Sequence, residues 1–228
     1  MIEKIDWDSS FFGYNVGKTT ITTIDDINTL LKNLHNQYKL VYVFSKFIIE
    51  NSNFKLVDKK VTFKKKITNS NNTDLNNTIE LYKKDNFNKG NKQIETLAYL
   101  SGKYSRFKTD INFKNNEFKK LYKIWITDHI KKNKKIIIKK HNNIISGFIL
   151  YSISEETIYI ELISVSEQFQ GKGIGSELIE EIEKIGVNSG SKYIEVVTQG
   201  ENIPAVNLYK KNNFELINSV LIYHYWTI

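Results

Sequence analysis

The clearest alternation of hydrophobic and polar positions lies in the second half of the chain. From Glu117 to His129, apolar residues recur at the spacing of one helix face. Three largely apolar segments then follow, separated by short polar turns, which is typical of antiparallel strands. These predicted strands are Lys135–Lys140, Ser146–Ser154 and Thr157–Val165.

A glycine-rich loop follows the third predicted strand, and further elements follow the loop. They are a helix over Ser176–Asn188, a strand over Tyr193–Thr198, a helix over Asn202–Lys211 and a strand over Val220–Thr227. This order predicts an α/β fold in which helices flank a mixed, mostly antiparallel sheet.

The first half has a weaker pattern, which predicts a smaller α/β subdomain. Its expected elements are a strand over Asn15–Thr23, a helix over Asp26–Gln37, a strand over Leu40–Phe44 and a hairpin formed by Lys55–Val57 and Val61–Ile67. Two polar stretches, Thr68–Thr73 and Asn88–Asn91, are expected to be loops. We therefore place a boundary between domains of residues 1–92 and 93–228.

Composition narrows the class of protein. The chain of 228 residues has no cysteine, which rules out disulfides and thiolate chemistry and makes a cytoplasmic location the expectation. No apolar run is long enough to span a membrane, and the N-terminus lacks the pattern of a secretory signal. The net charge of the chain is +8, and it comes from lysines that are scattered throughout the sequence. Because no nucleic-acid-binding motif accompanies this charge, we expect no nucleic-acid partner. The four histidines have no metal-ligand spacing, and we expect no metal.

The loop from Gln170 to Gly175 carries the candidate chemistry. Its glycines let successive N–H groups converge, and the helix N-terminus behind it favours an anion. A Walker loop would need Lys and then Ser or Thr after the last glycine, whereas Ser176 and Glu177 follow here. A dinucleotide fold would need an opening βαβ unit, whereas the preceding strands are predicted hairpins.

The loop and its surroundings resemble motif A of the GNAT acetyltransferase superfamily. That motif has Gln or Arg, two variable residues, Gly, a variable residue, then Gly or Ala, matched here by Gln170, Gly173 and Gly175. The segment from Asn202 to Tyr209, ending at Asn213-Phe214, resembles motif B. Its usual glycine is replaced by Asn213, which also tolerates a left-handed turn.

Further segments are similar to the family of dTDP-fucosamine acetyltransferases, which N-acetylate the 4-amino group of a dTDP-linked 4-amino-4,6-dideoxy sugar. The segments are Trp7–Gly13, Ser101–Phe107, the pattern from Asp110 to Ile126, and Val197–Gly200. The resemblance implies a truncated N-terminal subdomain packed on a GNAT domain, a homodimer, acetyl-CoA as co-substrate and a nucleotide-sugar acceptor.

The GNAT resemblance also implies a set of residues that bind acetyl-CoA. A bulge in the strand ending near Val165 would free backbone groups for the pantetheine arm, and the loop would hold the phosphates. Lys172 is either a further charge at this site or a solvated loop lysine, and Asn202 either contacts CoA or caps its helix. The expected binding residues are Ile163, Ser164, Val165, Gln170, Gly171, Lys172, Gly173, Ile174, Gly175, Ser176 and Asn202.

Tyr209 matches the family's tyrosine that protonates the CoA thiolate, and a core tyrosine is the alternative. Glu161 shares a strand face with Ile163 and Val165, so it is a candidate general base through water, or else a surface carboxylate. Arg106, the single arginine of the chain, either contacts the nucleotide-sugar pyrophosphate or stacks on an aromatic neighbour.

The sequence therefore predicts an acetyl-CoA-dependent N-acetyltransferase of a dTDP-linked amino sugar. Two alternatives stay open. One is a GNAT enzyme for another small amine, a peptide N-terminus or a lysine, and the other is a CoA-binding module without catalysis.

Overall fold

The computed structural model describes residues 2–33, 37–68, 79–82, 89–131 and 135–227. The chain folds into two compact units. One comprises Met1–Val61, Gln199–Glu201 and Asn218–Ile228, and the other comprises Thr62–Thr198 and Asn202–Ile217. The predicted boundary after residue 92 stays a prediction. No helix in the described ranges is both long and apolar enough to cross a membrane.

The first unit is built on a parallel pair of strands joined by a helix. The elements of this unit are β1 (Glu3–Lys4), α1 (Asp6–Phe12), β2 (Val16–Ile21), α2 (Ile24–Asn33), β3 (Leu40–Ser45), the start of β4 (Phe54–Lys66) and most of β10 (Glu215–Trp226). Strands β2 and β3 run parallel, with β1 antiparallel to β2 and the C-terminal part of β10 antiparallel to β3. Most apolar residues of β3 are buried, as expected for a strand in the interior of a sheet.

The predicted hairpin between Lys55 and Ile67 is wrong, because β4 is one continuous strand. The predicted turn of this hairpin consists of the three charged residues Asp58, Lys59 and Lys60. They stay extended, and the Gly200 N–H, from a later segment of the same chain, donates a hydrogen bond to the Lys59 carbonyl at 2.7 Å. A Cβ on Gly200 would lie 3.1 Å from the Lys59 side chain, so glycine permits this close approach.

The second unit is the predicted mixed sheet flanked by helices. The elements of this unit are β5 (Ile79–Leu81), α3 (Lys89–Ser101), α4 (Arg106–Thr109), α5 (Glu117–Lys131), β6 (Lys135–His141), β7 (Ile144–Ser154), β8 (Thr157–Val165), a 3-10 turn (Glu167–Phe169), α6 (Ile174–Ser189), β9 (Tyr193–Gln199) and α7 (Ile203–Lys211). Strands β5 to β8 are consecutive antiparallel neighbours, β9 runs parallel to β8, and β4 lies next to β9. Helices α3 and α6 both pack on β7 and β8.

Most of the predicted elements of this unit are confirmed, and one predicted loop is not. Helix α3 begins at Lys89, so the described part of Asn88–Asn91 is helical. Ile94, Leu97 and Ala98 are buried at helical spacing, and this burial stabilises a helix that begins in polar residues. The other predicted loop, Thr68–Thr73, lies outside the described residues except for Thr68.

Candidate active site

The site begins where β8 and β9 separate. Their parallel ladder covers Thr157–Ile160 and ends at the pair Ile160–Val196. On the other side of β8, Leu150 pairs with Leu162 and Tyr151 with Ile160, which leaves Glu161 as the extra residue of a β-bulge. Beyond the bulge, one edge of β8 stays paired with β7. The opposite edge of β8, which faced β9 before the bulge, is available for a strand-like ligand. The predicted bulge is therefore present.

The glycine-rich loop adds an anion-binding end. Gly171 and Gly173 have φ of 76° and 85°, a left-handed conformation that favours glycine. The first hydrogen bond of α6 runs from the Glu177 N–H to the Gly173 carbonyl at 3.1 Å. The N–H groups just before Glu177 thus have no partner within the helix, and they are available to bind an anion. The Gln170 amide fixes the loop by donating to the Val165 carbonyl at 3.0 Å.

A cleft of about 490 Å³ in the second unit joins these two features. All but one of the predicted acetyl-CoA-binding residues line it. The exception is Lys172, whose ammonium group lies 5.3 Å from the centre of the Phe169 ring. The predicted residues that line the cleft are Ile163, Ser164, Val165, Gln170, Gly171, Gly173, Ile174, Gly175, Ser176 and Asn202.

The cleft also has walls that the sequence reasoning did not assign. The end of α3 and the turn after it contribute one wall, and the exposed face of α7 contributes another. Four of the five α7 positions, Pro204, Asn207, Leu208 and Lys211, are spaced i, i+3, i+4 and i+7, a helical stripe that was visible in the sequence. The additional lining residues are Leu100, Ser101, Lys103, Tyr104, Glu167, Phe169, Pro204, Ala205, Asn207, Leu208 and Lys211.

Two contacts tie α6 to α7 beside the cleft. The Asn212 side-chain amide donates to the Ser176 hydroxyl at 3.0 Å. A Cβ on Gly175 would lie 3.1 Å from both terminal methyl groups of Leu208, so the absence of a side chain lets the helices approach closely. The loop and α7 are therefore packed as neighbours.

Asn202 caps α7 and lines the cleft as well. Its side-chain oxygen accepts a hydrogen bond from the Ala205 N–H at 3.3 Å, the geometry of an N-cap. Pro204 stands in the first turn, where no N–H is required. Both predicted positions of Asn202, at the helix start and beside the ligand space, are thus compatible with one another.

Tyr209 lies on another face of α7 from the lining stripe, and it is buried with 2% of its surface exposed. Its ring packs against Phe63 and Phe214, with centroids 5.6 Å away in each case. Burial raises the pKa of the phenol above its usual range, so it keeps its proton at neutral pH. Tyr209 is not among the residues that line the cleft.

Glu161 contacts a histidine that the sequence reasoning left unassigned. The Glu161 Oε2 atom lies 2.5 Å from Nε2 of His129, and Nδ1 of the same ring lies 2.5 Å from the Trp125 carbonyl oxygen. The two side chains are 27% and 15% exposed. This contact joins α5 to the bulge of β8, a pairing over 32 residues that no local pattern predicts.

Arg106 stacks on an aromatic ring, as one of its two predicted interpretations requires. The centre of its guanidinium lies 4.6 Å from the Phe107 ring centroid, and Ser105 caps the short helix α4. Arg106 does not line the cleft, although Lys103 and Tyr104 of the same segment do. A contact with a nucleotide sugar stays a prediction.

Residues 102–214 match the sequence profile of the Acetyltransferase (GNAT) family. The chain carries a GNAT acetyltransferase domain. The bulge, the separated strands and the glycine-rich loop all fall within that match, as do all the residues that line the cleft except Leu100 and Ser101.

Solved structures share this fold over most of the chain. A conserved protein of unknown function from Staphylococcus epidermidis superposes with a TM-score of 0.61 at 15% identity, covering 94% of this chain and 84% of that one. A GCN5-related N-acetyltransferase from Sphaerobacter thermophilus gives a TM-score of 0.56 at 12% identity, covering 91% and 72%. At these identities the likeness concerns the GNAT fold alone.

Curated relatives match shorter stretches. Spore coat polysaccharide biosynthesis protein SpsD of Bacillus subtilis is 23% identical over 131 residues, which is 57% of this chain and 45% of SpsD. Thialysine N-epsilon-acetyltransferase of Mus musculus is 33% identical over 63 residues, 28% of this chain and 37% of that enzyme. The chain thus spans less than half the length of either relative.

Proposed function

We propose that this protein is an acetyl-CoA-dependent N-acetyltransferase whose acceptor is the 4-amino group of a dTDP-linked 4-amino-4,6-dideoxy sugar. One observation carries the transferase part of the proposal. The free edge of β8 and the glycine-rich loop, with one 3-10 turn between them, line the same cleft, so one extended ligand meets backbone groups along its arm and N–H groups at its phosphates.

The residues fit acetyl-CoA, the acyl donor that GNAT acetyltransferases use. The backbone from Ile163 to Val165 holds the pantetheine arm and directs an N–H group at the acetyl oxygen. The pyrophosphate meets the N–H groups from Gly171 to Ser176, and Asn202 contacts the arm from the start of α7. Lys103 and Lys211, which line the same cleft, add positive charge for the phosphates.

The transfer needs one base and one acid. The acceptor nitrogen attacks the acetyl carbon, the carbon–sulfur bond breaks, and CoA leaves as a thiolate. Glu161, two strand residues before Ile163, takes the proton that the nitrogen loses, directly or through one water. Tyr209 donates a proton to the thiolate, which requires the sulfur to reach the phenol on α7.

The acceptor class rests on resemblance and on one relative. The segments around Trp7 and Arg106 resemble amino-sugar acetyltransferases, and SpsD is named for polysaccharide biosynthesis. Thialysine acetyltransferase supports a second candidate, an enzyme for the amine of a small amino acid. We also propose a homodimer in the cytoplasm, with domains of residues 1–92 and 93–228; light scattering of the purified chain tests the dimer.

The deciding experiment measures thiol release from acetyl-CoA with a panel of amines. The panel contains dTDP- and UDP-linked amino sugars, thialysine, lysine, a peptide N-terminus and a polyamine. We expect turnover with a dTDP-linked 4-amino sugar at least about tenfold above that with the other classes. Turnover with a peptide, polyamine or thialysine and none with any nucleotide sugar would overturn the acceptor assignment and leave the transferase intact.

A further inference from the structure

We infer that His129 is a positioning residue for this reaction: it orients the Glu161 carboxylate at the bulge of β8 for proton removal from the acceptor amine. The inference rests on the proposed function, in which Glu161 is the base. It adds a residue from α5 to a site whose cleft is lined by β8, the glycine-rich loop, α7 and the end of α3 with the turn after it.

The hydrogen bonds fix which ring nitrogen carries a hydrogen. The Trp125 carbonyl oxygen can only accept, so His129 Nδ1, at 2.5 Å from it, must donate. In a neutral imidazole, Nε2 is then an acceptor. A carboxylate oxygen at 2.5 Å from Nε2 is also an acceptor, so one proton must lie between these two atoms.

This shared proton determines how Glu161 is held. A charge-assisted bond of this kind is short and directional, and it fixes the rotamer of the carboxylate through Oε2. The imidazole is itself fixed by the Trp125 carbonyl on the same helix. The His129 side chain is 15% exposed and the Glu161 side chain 27%, so the pair is partly shielded, and water weakens it less than it would weaken a fully exposed pair.

The position of the pair along β8 connects it to the reacting end. Glu161 is the extra residue of the bulge, where the strand edge becomes available, and Ile163 two residues later lines the cleft. Alternate residues of a strand are about 6.6 Å apart. With the phosphates at the loop after Val165, the thioester end of the donor points along β8 toward Glu161.

In the reaction, the amine proton passes to Glu161 as the nitrogen–carbon bond forms and the carbon–sulfur bond breaks. His129 keeps its two hydrogen bonds and exchanges no atoms with either substrate. It therefore acts through Glu161, and its removal should affect turnover more than acetyl-CoA binding.

Four variants test the pair: His129→Leu, His129→Gln, Glu161→Gln and the double variant His129→Leu with Glu161→Gln. The acceptor is the panel amine that turns over fastest. We expect His129→Leu to lower kcat at least about tenfold with the KM for acetyl-CoA within about twofold. His129→Gln, whose amide can donate at the same place, should recover to within about threefold of the parent protein.

The double variant separates positioning from structure. If His129 acts through Glu161, the double variant should be no slower than Glu161→Gln alone. Additive losses would overturn the inference. Asp128→Asn, one residue away on α5, is the matched control and should change kcat by less than about twofold.

The two proposals fail in different ways. If Glu161→Gln keeps normal turnover, the base assignment is wrong and the inference falls with it. If Glu161→Gln is slow and His129→Leu is normal, Glu161 stands as the base and His129 has no part in positioning it. If His129→Leu lowers the melting temperature strongly, the His129→Gln recovery still decides, because a fold defect alone would not be specific for kcat.

Discussion

The phosphate end of the cleft and the proposed reacting centre are built in different ways. At the phosphate end, the loop from Gln170 to Ser176 offers backbone N–H groups whose direction depends on two glycines with positive φ. The proposed reacting centre uses side chains from separate elements that do not line the cleft: Glu161 from β8, His129 from α5 and Tyr209 from α7. A backbone site is specified locally, whereas a side-chain site depends on tertiary packing, and this difference tells where each variant should act.

The largest effect is expected at Tyr209. Replacing Tyr209 with Phe should lower kcat at least about tenfold and leave the KM for acetyl-CoA nearly unchanged, because the phenol donates its proton only as the thiolate leaves. Steady-state kinetics with the best panel amine checks this. Near-normal turnover would remove Tyr209 from the acid role and leave it as a core residue between Phe63 and Phe214.

At the phosphate end, a substitution should weaken acetyl-CoA binding and leave the rate of the chemical step nearly unchanged. Gly173→Ala forces a side chain into a left-handed conformation at a cost of about 1–2 kcal/mol, and relaxing that strain redirects the N–H groups. We expect the KM for acetyl-CoA to rise about three- to tenfold with kcat within about twofold.

Gly190→Ala is the matched control for this prediction. Gly190 has φ of 72° at the far end of α6, and a Cβ there would meet nothing within 4 Å. Both variants should lose comparable thermal stability, and only Gly173→Ala should change the KM. Equal KM values in the two variants would contradict a phosphate site at the loop.

Asn202 joins a structural and a binding role, so its variants separate the two. Asn202→Ala removes the α7 cap, and should cost about 1 kcal/mol of stability and raise the KM for acetyl-CoA about threefold. Asn202→Asp keeps the cap, so its melting temperature should stay near that of the parent protein. A raised KM in Asn202→Asp would then show a ligand contact, and a normal KM would assign Asn202 to the cap alone.

The smallest effect on catalysis is expected at Glu181, which lies on α6 outside both ends. It is 6% exposed, and burial raises the pKa of its carboxyl above the usual value, partly opposed by Lys184. The folded state therefore holds this proton to a higher pH than the unfolded chain. The free energy of unfolding falls as the pH rises from about 4.5 through the raised pKa.

Glu181→Gln should remove that dependence. We expect a higher melting temperature than the parent protein at pH 7, little difference near pH 4, and unchanged kinetic constants. Thermal melts at several pH values check the sign. A lower melting temperature at pH 7 would mean that the carboxylate is stabilised in the folded state.

The difference between features specified locally and features that depend on tertiary packing also explains which parts of the structure could be predicted from the sequence. The glycines of the loop, and the apolar segments Ser146–Ser154 and Thr157–Val165 with a polar turn between them, are local signals, and they led to the correct strands and loop. Helix α1 has no buried residue, so its sequence lacks the apolar stripe by which a helix is recognised. The contact of His129 with Glu161 depends on the packing of α5, which periodicity does not specify.

The glycine at position 175 has a consequence for protein engineering. Because its missing side chain lets α6 meet Leu208 of α7, and Ser176 is bonded to Asn212, the loop and α7 form a matched pair across about 30 residues of sequence. A loop transplanted into another acetyltransferase would meet the wrong helix and lose its spacing. The portable unit of donor recognition is therefore the loop together with α7, and exchanging cofactor specificity requires moving both.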